Sequence, residues 1–392
     1  MLLQDRLVLD DLDIAKEAGR NHALVKTFDG IPVNDGRLRI SFERVRDWPC
    51  IAAIEVECGD TTLKVNCGGG AYKDFAGDVP HWPEDPSALD FYTDWAVHEF
   101  GASIGAEAGE IWHQIDGAHP RTSTWKDGPG NFLPDERPWE LVREEYAFVD
   151  AFEALRGRIQ GKGSLERFDY WLHTLAYLRA TAEMNCLWAV FNRAMDEVRA
   201  APAEQQSALA HEKALPARVA LVTAVTKAYA QLLGTVSTYG ELGTICNLEA
   251  HTFPAMLDTP EKELEALLGE VLPREALLPD TYTGETRVVV PAIRTSRRPG
   301  EALDLEVLTL SPEPVVKVVL HWRVMGEGDY TQQTFDPVAR GVYHGRFASF
   351  PGNDDIEYYI EAVTADNASV YWPASAPDIN QTVIVHSTAS AG

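Results

Sequence analysis

The sequence predicts an α+β chain of three parts: a β-rich head over residues 1–85, a central helical bundle over 86–283 and a C-terminal β-sandwich over 284–392. Three observations predict it. Gly, Asn and Asp cut the first stretch into short apolar runs of strand length. The middle carries apolar residues at helical spacing, most continuously from Ser164 to about Arg199. After Arg287 the alternation turns to period two and holds almost to the end. A length of 392 residues suits two or three cores better than one.

Composition narrows the function classes. The hydrophobic fraction is 45% and the charged fraction 24%, as in a globular chain. Sixty acidic against 34 basic residues give a formal net charge of -26. That field repels phosphate backbones, so nucleic acid and anionic membrane surfaces are poor partners. No run reaches the roughly 20 apolar residues of a membrane span. The opening MLLQDRLVLDDLD has acids where a signal peptide has a basic flank and an apolar stretch. The expected compartment stays open: extracellular or periplasmic for a piece of a larger secreted enzyme, cytoplasmic otherwise. Cys50, Cys58, Cys67, Cys186 and Cys246 lack CxxC spacing, so no zinc site is expected. A disulfide framework is not expected either, although one bridge among the first three stays open. No metal or cofactor is expected.

In the head, residues 6–14, 22–28, 36–42 and 50–57 each read as strands, with Asn34–Asp35–Gly36 as a hairpin turn that tolerates positive φ. Leu38, Ile40 and Phe42 share one face. Four such strands leave edges and faces that another sheet must cover. The same stretch resembles the last third of a malectin-like domain, a jelly-roll sandwich that binds carbohydrate. The matching elements are Asp13–Ile14, Glu17–Ala18–Gly19, Ala23–Leu24–Val25, Asp35–Gly36 and Ile54–Glu55. Residues 65–85 resemble the opening of such a domain, through Asn66–Cys67–Gly68–Gly69 and Tyr72–Lys73–Asp74. The end precedes the beginning, which implies a partial jelly-roll completed by a missing upstream region or a partner chain. The glycine run at 68–70 has no phosphate-loop Lys after it. It reads as a tight turn, or as room for a sugar face beside Tyr72.

The middle opens with a helix holding Asp94, Trp95 and His98, a break near Gly101, and a second helix to Asp116. A proline-rich stretch with Trp125 and Trp139 follows, long enough without periodicity to suggest a functional loop. A helix is predicted over 137–158, then one from an N-cap at Ser164 to about Arg199 with Phe168, Trp171, Leu175, Leu178, Ala182, Cys186 and Ala189 on one stripe. Helices over 207–233 and at TPEKELEALLGEVL complete the bundle. FYTDWAVHEFG and the 164–199 run resemble the helical region behind the catalytic barrel of large glycoside hydrolases, among them α-glucuronidases and N-acetylglucosaminidases. The last part holds about eight period-two runs between Gly, Pro, Asn and Asp turns, the pattern of an immunoglobulin- or fibronectin-like sandwich. In it Val318, Leu320 and Trp322 face the core, opposite Val319, His321 and Arg323.

Sugars are held by aromatic faces and by hydrogen bonds from Asp, Asn and Arg. Two groups fit: Tyr72, Asp74 and Trp82, and then Trp125, Asp127, Asn131 and Trp139 in the loop. The loop reads equally as a glycan or partner contact and as packing over the bundle. Arg179 and Glu183, with Asn185 beyond them, read as a buried i,i+4 network. Glu249 and His251 read as local structure. No catalytic residue is assigned, because no repeated strand–helix units supply a barrel to hold a glycosidase's two carboxylates. GxSxG and HExxH are absent as well. The expected function is a non-catalytic accessory region or subunit of a glycoside hydrolase. It would bind a polysaccharide or oligosaccharide beside a catalytic barrel on an upstream domain or separate subunit. The alternatives are a stand-alone carbohydrate-binding protein and a complete glycosidase, with Asp94, Asp127, Asp135 and Glu183 as the acids nearest loop or aromatic context.

Overall fold

The computed structural model describes residues 1–4, 6–19, 22–34, 36–42, 51–67, 71–77, 88–121, 132–348, 350 and 354–386. The chain is a mixed α/β protein that divides into two compact units, Met1–Asp85 and Pro86–Gly392.

The first unit holds β1 (Leu2–Leu3), β2 (Arg6–Leu7), α1 (Ile14–Ala18), β3 (Ile40–Ser41), β4 (Ala53–Cys58), β5 (Thr61–Asn66) and β6 (Ala76–Gly77). They form two separate three-stranded sheets, in the orders β2-β1-β3 and β4-β5-β6. The expected strand over 6–14 is cut short because the Asp13 carboxylate accepts the Lys16 amide at 3.0 Å and starts a helix. Residues 22–30 form no regular element. With strands this short and no pairing between the two sheets, the expected jelly-roll is absent from the described residues. Leu3 is the one buried apolar side chain described in this unit.

The second unit begins with α2 (Ala88–Phe100) and α3 (Gly105–Ile115), turned at Gly101 with φ +95°. They cross at Gly109, where a Cβ would stand 2.8 Å from the Thr93 backbone. The helix expected over 137–158 is broken instead into α4 (Trp139–Val142), a 3-10 turn at Arg143–Tyr146, α5 (Ala147–Glu153) and a second 3-10 turn at Arg156–Arg158. The overwound turn carries Tyr146 into the core at 2% exposure. α6 (Lys162–Ala200) runs 39 residues, about 58 Å at 1.5 Å per residue. Its N-cap is Gly161 at φ +86°, three residues before the expected Ser164. Then come α7 (Ala203–Leu209), α8 (Leu215–Thr235), α9 (Tyr239–Asn247) and α10 (Thr259–Leu268), with π-helical turns at Ala210–Ala214, Leu248–Thr252 and Pro254–Asp258.

α6 serves two cores. Phe168, Leu175, Ala182 and Cys186 pack with Phe100, Ile104 and Phe152, and the Phe152 and Phe168 rings stack at 4.3 Å. Met184, Phe191, Met195 and Val198 pack with Leu221, Val225 and Met256. In the second core Arg218 is fully buried. Its guanidinium donates to the Ala276 carbonyl at 3.1 Å, the Leu257 carbonyl at 2.9 Å and Glu261 at 3.2 Å.

The rest of this unit comprises β7 (Arg287–Val289), β8 (Ser296–Arg297), β9 (Leu303–Leu310), β10 (Val315–Val324), β11 (Thr331–Thr334), β12 (Asp336–Ala339), β13 (Val342–Phe347), β14 (Ile356–Thr364), β15 (Ser369–Trp372) and β16 (Gln381–Val385). Four strands pair in the order β12-β13-β9-β7. The other six follow β11-β10-β14-β16-β8, with β15 on β14. Val318, Leu320 and Trp322 do lie in the core, with Leu305, Val307 and Tyr358. Yet no sheet closes into a barrel or sandwich among the described residues, which corrects the immunoglobulin- or fibronectin-like expectation. Period-two alternation says which face is buried and not which strands pair; here β8 joins β16 in parallel, and both sheets stay open. The strands are fixed to the helices. Arg287 donates to the Leu233 and Val236 carbonyls at the end of α8, and the Tyr239 hydroxyl donates to Glu306 at 2.9 Å.

Candidate functional site

A cavity of about 260 Å³ opens on the bundle, lined by Trp139, Arg143, Asp150, Arg179, Glu183 and Lys227. Trp139 begins α4, and Arg143, four residues on, follows on the same face. Asp150 comes from α5, Arg179 and Glu183 from successive turns of α6, and Lys227 from α8. Arg179 donates to Asp150, and the Lys227 ammonium donates to Glu183 at 2.6 Å. Arg143 meets no carboxylate among the described residues. The lining thus combines one half-buried indole with two ion pairs and a third cation, in a chain whose formal net charge is -26.

The segment leading into Trp139 is pinned from both sides. The Asp135 amide donates to the Asn185 carbonyl of α6 at 3.0 Å. The Arg137 guanidinium forks onto Asp135 at 2.7 Å and reaches Glu145 at 2.7 Å. Those Arg137 hydrogen bonds hold the Asp135 carboxyl below the usual carboxylate range. Pro138 then supplies the extended residue before the helix. The indole is therefore set by a fork, a backbone bond and a proline rather than by a free loop.

Of the residues expected to bind carbohydrate, Trp139 lines this cavity. Tyr72 and Asp74 belong to the other unit. Tyr72 is exposed with the Lys73 ammonium 5.2 Å from its ring, and Asp74 pairs with Lys64 at 2.9 Å beside Glu55. Trp82, Trp125, Asp127 and Asn131 lie outside the described residues. Arg179 and Glu183 do not pair with one another as their spacing suggests. Each reaches across to a different helix. Arg143, Asp150 and Lys227 carry no sequence signal, since Asp150 and Lys227 sit 29 and 44 residues from their partners on α6. Glu249 accepts from the Tyr229 hydroxyl at 2.6 Å, a local structural contact.

Among the described residues no three His, Cys, Asp or Glu side chains gather as a metal site, and no helix is long and apolar enough to cross a membrane. No family model and no curated protein matches the chain. Together with the open sheets, this corrects the glycoside-hydrolase, malectin-like and immunoglobulin-like identities expected from the sequence.

Proposed function

We propose that the chain is a non-catalytic saccharide-binding protein whose ligand lies in the cavity walled by Trp139. The observation that carries this reading is the indole beside two ion pairs in one small cavity. A ring hydroxyl both donates and accepts, so it finds a partner in either half of an ion pair while the ring face rests on the indole. The volume falls below the about 300–1,000 Å³ of drug-sized pockets, which favours a single sugar unit over a large ligand. Both carboxylates in the lining are already engaged by cations, which leaves the site suited to holding rather than to proton transfer. Titration of the chain with neutral and acidic oligosaccharides, followed by the Trp139 indole N–H resonance, tests this. Trp139→Ala is expected to weaken binding about tenfold or more, as for a buried aromatic anchor. Unchanged affinity in that variant, or no binding across the panel, would sink the reading.

An accessory role beside a separate catalytic domain or subunit is a second reading. It is favoured by the first unit, where Leu3 alone among the described apolar side chains is buried while Leu7, Val25 and Leu63 are exposed. A partner that covers these residues would travel with the native particle, and its mass would show it. A native mass of 43.3 kDa, that of the chain alone, would argue against this second reading.

A further inference from the structure

The cavity at Trp139 holds more positive than negative charge, and the excess sits on one side chain. Its lining has three cations, Arg143, Arg179 and Lys227, against two carboxylates, Asp150 and Glu183. Asp150 holds Arg179 and Glu183 holds Lys227. Each pair bridges separate helices, so the packing of α5, α6 and α8 fixes both. Arg143 is different. Its guanidinium forms no hydrogen bond or ion pair among the described residues, although Glu140 and Glu144 are close to it in sequence. An arginine carries five N–H donors in a planar fork, and here the whole fork is open to a ligand.

Position adds to charge. Trp139 and Arg143 stand four residues apart on one helical stretch, a spacing that puts side chains about 5–6 Å from each other at Cβ. That is the scale of one sugar ring with a substituent. The indole face takes the ring, and the fork takes what the ring carries. A carboxylate matches a planar pair of N–H donors because it accepts both at once. An amino sugar would instead meet three cations and find both acids engaged. A multiply sulfated sugar fits no better. One cation is unspent, and the formal net charge of -26 repels every further negative charge.

We infer that the saccharide in this cavity is acidic: a single uronic-acid unit whose ring rests on Trp139 and whose carboxylate is forked by Arg143. This rests on the saccharide reading of the cavity and adds to it the ligand's charge and the residue that selects it. Arg143 is exposed, so water competes for the fork. The expected gain over a neutral sugar is about three- to tenfold, between an exposed ion pair and a charge-assisted bidentate one.

Three probes of similar shape separate charge from sugar: galacturonate, its neutral methyl ester and galactose. Each is titrated into the full chain at pH 7, where the acid is ionised, and followed at the Trp139 indole N–H resonance. Galacturonate is expected to bind about three- to tenfold tighter than either neutral sugar, and by a smaller margin at high salt. Arg143→Gln removes charge and fork together and is expected to bring the three dissociation constants within about twofold of one another. Arg143→Lys keeps the charge and is expected to keep part of the preference. The exposure of Arg143 leaves the fold safe in both variants. Equal affinity for all three probes, with the indole responding, overturns the acidic assignment and leaves the saccharide reading standing. A preference that survives Arg143→Gln overturns the acidic assignment to this fork. An indole unmoved by every probe overturns both readings, as does acetate binding as tightly as galacturonate, since the sugar would then have no part.

Discussion

Replacing Arg218 by Met should unpick the far end of the bundle. The guanidinium is 1% exposed and serves two main-chain carbonyls, those of Leu257 and Ala276, besides Glu261. Met matches its length without its donors. Each orphaned buried carbonyl costs about 1–3 kcal/mol, or about 2–6 kcal/mol for the pair. The Glu261 bond adds little, since that side chain is 33% exposed and water replaces the lost donor. Relief from burying a cation offsets part of the loss, and burial does press the Arg218 pKa below its ordinary value. The net expectation is about 3 kcal/mol, a fall of roughly 6 °C in melting temperature for a unit of this size. Amide exchange should quicken first around Leu257 and Ala276. Arg218→Lys should fall in between, because an ammonium cannot fork across three acceptors. A melting temperature within about 1 °C of wild type, with protection at Leu257 intact, would refute the claim that this guanidinium holds those turns.

Three other outcomes follow from the same structure. Burial first, and the Asp135 charge second, push the Cys186 thiol up to about 11. Iodoacetamide at pH 8 should therefore label exposed Cys58 and Cys246 in the native chain and spare Cys186 until denaturant is added, as peptide mass mapping would read. The unfolded thiol ionises near 8.5, so the unfolded chain loses this proton first as pH rises. Stability should then decline by up to about 1.4 kcal/mol per pH unit from about 8.5 to 11, a slope that Cys186→Ala should remove. Gly109→Val must force α2 from α3 and should cost about 2 kcal/mol in thermal melts, whereas Gly243→Ala, a helical site with open space around it, should be neutral or slightly stabilising.

What could be read from the sequence followed periodicity and stopped where distance began. The stripe through Phe168, Leu175, Ala182 and Cys186 is a 3.6-residue pattern, and it is buried as that pattern implies. Likewise Val318, Leu320 and Trp322 alternate into a core. The head misled because its short runs satisfy a strand pattern locally, while a single carboxylate cap at Asp13 tips 14–18 into helix. The break at Arg143–Tyr146 has no Gly or Pro to announce it. Trp139 was identifiable as an aromatic in a polar stretch. The charges that surround it were not, because Asp150, Glu183 and Lys227 meet only when three helices pack. Arg179 and Glu183 show the limit most directly: correct spacing, wrong partners.

One rod of backbone passes through both helical cores of the larger unit. The first half of α6 belongs to one core and the second half to the other, and Arg179 and Glu183 stand near the changeover. Neither core can loosen without pulling on the helix that the other requires. Heat should thus meet a single cooperative body here, with one calorimetric peak spanning both halves. A ligand seated against the rod's midpoint would raise that one peak as a whole, and amides at opposite ends of the bundle would report its arrival together.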